Sequence, residues 1–237
     1  LARDVDDQVR TELAQKIGRL VPSLTDDENE KLTTMAFQVL EILAQDELPR
    51  VRAIISEEIK YLANVPKLVV KRLAHDLEQT VSTPVLEYSP LLSEQELLQI
   101  IAGGVQGGAL EAIARRRGIS ERVSDAVVAE EVPGATTELL RNDTASISEK
   151  ALDAIAISAE DKPEMHKPLV NRASLSMSTI RRIATFVSNA LLEDLISVHN
   201  VGEDVAKDLR MTVRLRIESG KDTTGKKKKK KKKGESP

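Results

Sequence analysis

Apolar residues recur along this 237-residue chain at helical spacing, and beyond residue 84 they recur again at the longer spacing of a repeat. In the first eighty residues four amphipathic stretches follow one another. Val9, Leu13, Ile17 and Leu20 fall on one helical face before Pro22 and Ser23 break it. Thr25 with Asp26, Asp27 and Glu28 reads as a capped start, because acidic groups meet the positive end of a helix dipole. Leu32, Met35, Ala36, Val39, Leu40 and Leu43 make a second stripe. Val51, Ile54, Ile55, Ile59 and Leu62 make a third behind Pro49, and Leu68, Val69, Leu73, Ala74 and Leu77 a fourth behind Pro66. Only MTVRLRI, near the end, alternates with the period of a strand.

The repeat appears when Ser93, Ser120, Ser148 and Ser176 are placed in register, 27, 28 and 28 residues apart. Each is preceded by an aliphatic residue: Leu92, Ile119, Ile147 and Leu175. Four positions on stand Leu97, Ser124, Leu152 and Ile180, and seven on stand Ile100, Val127, Ile155 and Ile183. Ser124 is the one break. A serine there accepts a backbone N–H at a helix start, and the preceding residue staples against the first turns. A second apolar group ends at Leu86, Ile113, Leu140 and Leu169. Each unit of 27 or 28 residues is therefore a short helix pair. One pair cannot bury its apolar face alone, but stacked pairs can. The expected fold is all-α, a HEAT-like α-solenoid or stack of short helical hairpins. Expected boundaries are N-terminal helices over 1–45, the repeat domain over 46–200, a helical extension over 201–220 and a disordered Lys-rich tail over 221–237.

Several motifs carry a family resemblance. Val-Arg heads a helix in DDQVRTEL and again in ELPRVRAII, in the manner of degenerate HEAT repeats. The run LAHDLEQTVSTPVLEYSPLLSEQELLQII, followed by AIARRRGISERVSDAVV and LLRNDTASIS, resembles the bacterial domain-of-unknown-function family 2336, a HEAT-like helical family. The resemblance rests on Asp76, Pro84, Ser89-Pro90, Ala114-Arg115, Asp125-Ala126, Leu140 and Asn142, over roughly residues 45–200. It implies a helical fold and supplies no catalytic residues.

Composition narrows the chemistry. Aromatics are 2% with no Trp, so the core must come from Leu, Ile, Val and Ala. There is no cysteine, which excludes disulfides, thiol nucleophiles and thiolate metal sites. No apolar run approaches the roughly 18 residues that span a bilayer, and a cytoplasmic protein is expected. His75, His166 and His199 lie in different units without a metal-ligand spacing. The glycines of IAGGVQGGAL follow a helix rather than a strand and lack the Lys-Ser/Thr of a phosphate loop, so a tight turn is expected. No catalytic, cofactor or metal residues are assigned. The candidate interaction surface is a polar rim at equivalent places in successive units: Arg115, Arg116, Arg117, Asn142, Asn171 and Arg172; the same residues read equally as helix C-terminal capping and loop solvation. The expected function is a non-enzymatic scaffold or adaptor that binds another protein. The alternative is a HEAT-like nucleic-acid binder.

Charge bears on that alternative. Lys226 to Lys233 carry eight positive charges and Glu235 one negative, so with −3 overall the first 225 residues carry −10. Binding of nucleic acid or an anionic membrane is expected only through the lysine run. Removing Lys226–Lys233 should abolish binding to duplex DNA in a salt titration, whereas the full chain should lose affinity steeply between ~50 and ~200 mM salt. Affinity that survives the truncation would make the acidic body a nucleic-acid reader.

Overall fold

The computed structural model describes residues 7–24, 30–105 and 108–219, and among these every regular element is helical. The chain is all-α. In order, the α-helices are α1 (Asp7–Leu20), α2 (Glu30–Leu43), α3 (Pro49–Ile59), α4 (Lys67–Ala74), α5 (Gln79–Tyr88), α6 (Glu94–Ala102), α7 (Gly108–Arg115), α8 (Glu121–Ala129), α9 (Pro133–Arg141), α10 (Glu149–Ser158), α11 (Pro163–Val170), α12 (Met177–Ala184), α13 (Asn189–Val198) and α14 (Glu203–Glu218). A 3₁₀ turn at Val21–Ser23 follows α1. Packing divides the chain into two compact units, residues 1–151 and 152–237. The expected cap at Thr25–Glu28, Gly107 and the Lys-rich tail lie outside the described residues.

The four repeated serines cap helices. Ser93 Oγ accepts from Glu96 N at 3.4 Å, Ser120 from Val123 N at 3.4 Å, Ser148 from Ala151 N at 3.0 Å and Ser176 from Thr179 N at 3.2 Å. At Ser93 the Glu96 carboxylate returns the bond to the Ser93 backbone, completing a capping box. Burial pushes the Glu96 carboxyl up. Lys71, the Ser93 amide and Lys67 outweigh this and hold it well below the ordinary 4.5. The apolar positions at four and seven beyond each serine are buried: Leu97 and Ile100, Val127, Leu152 and Ile155, Ile180 and Ile183. Ser124 keeps the place of the missing aliphatic residue. It is fully buried, and its hydroxyl oxygen meets no hydrogen-bonding partner.

In the first unit the second helices of successive pairs pack in a row, α1 on α3, α3 on α5, α5 on α7 and α7 on α9. α6 and α8 pack on each other, and α8 also on α7 and α9. One buried aliphatic cluster runs through the unit from Ala14 to Ala145, including Leu40, Ile55, Leu73, Leu86, Ile113 and Leu139. In the second unit α11 packs on α13, and α14 on both α13 and α12.

Two sequence expectations change. MTVRLRI is helical, lying within α14, because Ala206, Leu209 and Val213 bury a helical stripe. Alternation over so short a run does not outweigh a stripe that begins a turn earlier. In α1 the buried side is not the expected stripe. Arg10, Thr11, Ala14 and Gly18 are buried, whereas Val9 is exposed and Leu13, Ile17 and Leu20 are only partly covered. Close approach to α3 selects the small residues: a Cβ on Gly18 would lie 2.5 Å from the Cβ of Glu58. Gly18→Val should therefore lower the denaturant midpoint, costing about 1–3 kcal/mol by overpacking, in chemical unfolding followed by circular dichroism. An unchanged midpoint would mean that α1 is free to move away from α3.

Candidate functional site

The helix pairs leave two edges in the first unit. At one edge α5, α7 and α9 end, and α6 and α8 begin. At the other, α4, α6 and α8 end and α5, α7 and α9 begin.

The first edge holds most of the predicted rim, and much of that rim turns inward. A helix ends with carbonyls that no residue of its own can reach. Arg116, just past α7, donates to Leu86 O at 3.1 Å, Leu92 O at 3.4 Å and Ser89 O, all around the end of α5. Burial pushes its guanidinium down from the ordinary 12.5. Asn142, just past α9, donates from Nδ2 to Ala114 O at 2.9 Å and Arg116 O at 2.7 Å, at the end of α7. Its Oδ1 accepts from the backbone and hydroxyl of Thr144. Thr144 Oγ1 in turn accepts from Gly118 N at 2.9 Å. In the second unit His199, just past α13, donates from Nε2 to Val170 O at 3.0 Å at the end of α11. The three joints link residues 30, 28 and 29 apart, each close to one repeat length. Arg172 is buried, Asn171 caps the end of α11, and Arg117 and Asn171 are exposed.

Above these joints runs a charged ladder. Arg115 Nε meets Glu87 at 2.9 Å and its Nη1 lies 4.0 Å from Glu138, which pairs with Arg141 at 2.8 Å. At its α5 end stand the only two tyrosines in the chain. The Tyr61 and Tyr88 rings lie 5.1 Å apart at 52°, with Lys60 Nζ 5.2 Å and 4.9 Å from their centroids. Lys60 also pairs with Glu57. Tyr61 is 64% exposed and Tyr88 42%. A hydrogen bond to Glu87, with burial beside it, pushes the Tyr88 phenol up to about 12. Sequence reasoning missed this pair, since Tyr61 and Tyr88 are 27 positions apart; their one-repeat spacing was the available signal.

At the opposite edge Gly103 caps the end of α6 and Gly104 turns left-handed at φ +80°. Glu131 makes the same left-handed step after α8, at φ 54°. A cavity of about 460 Å³ opens here among His75, Asp76, Gln79, Gln99 and Gly103. Two of its polar groups are engaged locally. Asp76 takes Arg52 at 2.6 and 3.0 Å, and His75 donates from Nδ1 to Lys71 O at 2.8 Å. His166 donates to Ala159 O at 2.8 Å. Among the described residues no three His, Asp or Glu gather to hold a metal ion. None of their helices is long and apolar enough to cross a membrane.

The fold and its polar joints define an all-helical protein built from short pairs fastened at the ends of their second helices. A family model, described as "Uncharacterised protein conserved in bacteria (DUF2336)", matches residues 81–231, and the chain belongs to that family. The match begins inside α5 and runs beyond residue 200, so Asp76, used for the resemblance, precedes it. No curated protein and no solved structure matches the chain.

The joints have a measurable consequence. Asn142→Ala removes donors from two carbonyls at the end of α7 and should cost about 1–3 kcal/mol. Asn142→Asp should be at least as costly, because it presents oxygen to oxygen. Denaturant unfolding checks both, and an Asp variant as stable as the native chain would remove the joint from the account.

Proposed function

We propose that this chain is a HEAT-like helical-repeat scaffold, a solenoid-type stack of short pairs, that binds another protein and performs no catalysis of its own. The docking surface is the edge where α3, α5 and α7 end. One observation carries this reading: Tyr61 and Tyr88, the only tyrosines in an aromatic-poor chain, stand paired and exposed beside Lys60, Glu87 and Arg115. Tyrosine offers a large amphipathic contact at small entropic cost, and energetic hot spots at interfaces are rich in Tyr and Arg. The repeat-length joints below support a rigid platform for such a contact. The expected rim is thereby narrowed to Arg115 and the exposed Arg117, since Arg116 and Asn142 serve the stack. A second reading, nucleic-acid engagement aided by the basic tail, rests on the charge of Lys226–Lys233.

A photo-crosslinking amino acid at Tyr61 should give one discrete adduct in lysate of the source cell. Tyr88→Ala should reduce its yield on the order of tenfold or more, as expected for a hot-spot residue. An adduct pattern shared with the same probe at Glu12 on α1, or no discrete adduct, would overturn the assignment of this edge.

A further inference from the structure

α2 presents two apolar stripes. Ala36, Leu40 and Leu43 face the core. Leu32, Met35, Val39 and Ile42 form a second row, centred about 90° away round a helix of 3.6 residues per turn. Leu32 is 42% exposed, Met35 62% and Ile42 47%, and Val39 is half-buried. α2 packs chiefly on α1 and α3, at the N-terminal end of the row of helices in its unit. Arg10 of α1 holds Asp46 just beyond α2 at 3.1 Å, which brings the 48% exposed Val9 to the same end of the stripe as Ile42.

We propose that the stripe seats a second copy of this chain, with α2 antiparallel to α2 of the partner subunit about a twofold axis at Phe37. The spacing of the stripe selects this occupant. Steps of three, four and three are unchanged by reversal, so Leu32 meets Ile42 of the partner subunit and Met35 meets Val39 of the partner subunit. A self-complementary patch is what a twofold interface requires. The polar flank agrees. Lys31, Gln38 and Gln45 lie along one side of the stripe. Antiparallel pairing sets Lys31 beside Gln45 of the partner subunit and Gln38 beside its own copy, with no like charges facing. Parallel pairing in the same register would set Lys31 against Lys31 and align the helix dipoles. The patch is a few side chains wide, below the area of a tight interface, so the dimer is reversible, with Kd on the order of micromolar or weaker. This surface is independent of the tyrosine edge and lies before the family-matched segment.

Sedimentation equilibrium of the full chain from about 1 to 300 μM tests it, a range set by that affinity. The mass should rise with concentration from the 26.0 kDa of one chain toward twice that value. Met35→Glu should remain monomeric throughout while keeping the native circular dichroism spectrum. The chain lacks cysteine, so register is also readable. A Met35→Cys copy mixed with a Val39→Cys copy should form the mixed disulfide in preference to either symmetric one. A monomer at every concentration, a dimer indifferent to Met35→Glu, or no preference for the mixed disulfide would each overturn the proposal.

Discussion

Short helices end in carbonyls that their own residues cannot satisfy, and the way these carbonyls find donors governs the rest of the structure. Helices of eight to ten residues leave a large share of their backbone at the ends. Here the donor comes from the next unit. Arg116 reaches the end of α5, Asn142 the end of α7, and His199 the end of α11. The residue types differ because the number of carbonyls differs. A guanidinium has five N–H groups and serves three oxygens, a carboxamide serves two, and an imidazole serves one. Each joint fixes the spacing of two neighbouring helix ends, and with it the depth at which aliphatic residues such as Leu86, Ile113 and Leu140 interlock. Dispersion and burial supply most of the stabilising energy. The joints decide the register in which it is collected.

The charged groups follow from the same frame. Arg115 leaves the end of α7 on the outer side and meets Glu87 one repeat back, while its neighbour Arg116 turns inward. Arg122 and Glu94 repeat that spacing between α8 and α6, at 2.9 Å. Arg52 spans two elements at once, holding the Asp46 carbonyl at 2.7 Å and both oxygens of Asp76. That pairing outweighs the upward push of burial on Asp76 and keeps its carboxyl below the usual range. An exposed pair such as Arg122–Glu94 contributes little by itself, but it and Arg115–Glu87 lie where the repeat geometry delivers them, and so these two trace the edge on which the tyrosines sit.

Capped starts were legible from sequence because their signal is local. A serine, an aliphatic residue before it and two more at helical spacing are enough to place Ser93, Ser120, Ser148 and Ser176. All-helical character followed for the same reason. Burial was less legible wherever it depends on a neighbour. Periodicity places Val9, Leu32, Met35 and Leu68 on apolar faces but does not say whether another helix lies over them, and all four are exposed. Gly18 and Arg10 lie off the apolar stripe of α1, yet contact with α3 buries the first and Asp46 draws in the second. The rim of Arg116 and Asn142 was correctly placed at helix ends. Of its two readings, ligand rim or helix capping, Arg116 and Asn142 follow the second, spent on carbonyls that a sequence does not display.

This contrast says where function should be sought in a repeated chain. Residues that recur at the unit spacing are those each unit needs for joining the next, so alignment of the units finds caps, staples and joints. A binding surface is needed once, and it shows as a departure from the repeat. Departure alone is insufficient. Ser124 breaks the pattern as clearly as any residue, but it is sealed in the core with an unpartnered hydroxyl, and nothing outside can reach it. Tyr61 with Tyr88, and the second apolar stripe of α2, satisfy both conditions. The tyrosines share one repeat spacing but have no tyrosine counterpart in the later copies, the stripe lies before the repeat begins, and both face solvent. Each also exposes apolar area that folding left uncovered, and such area lowers the free energy of the chain when a partner covers it.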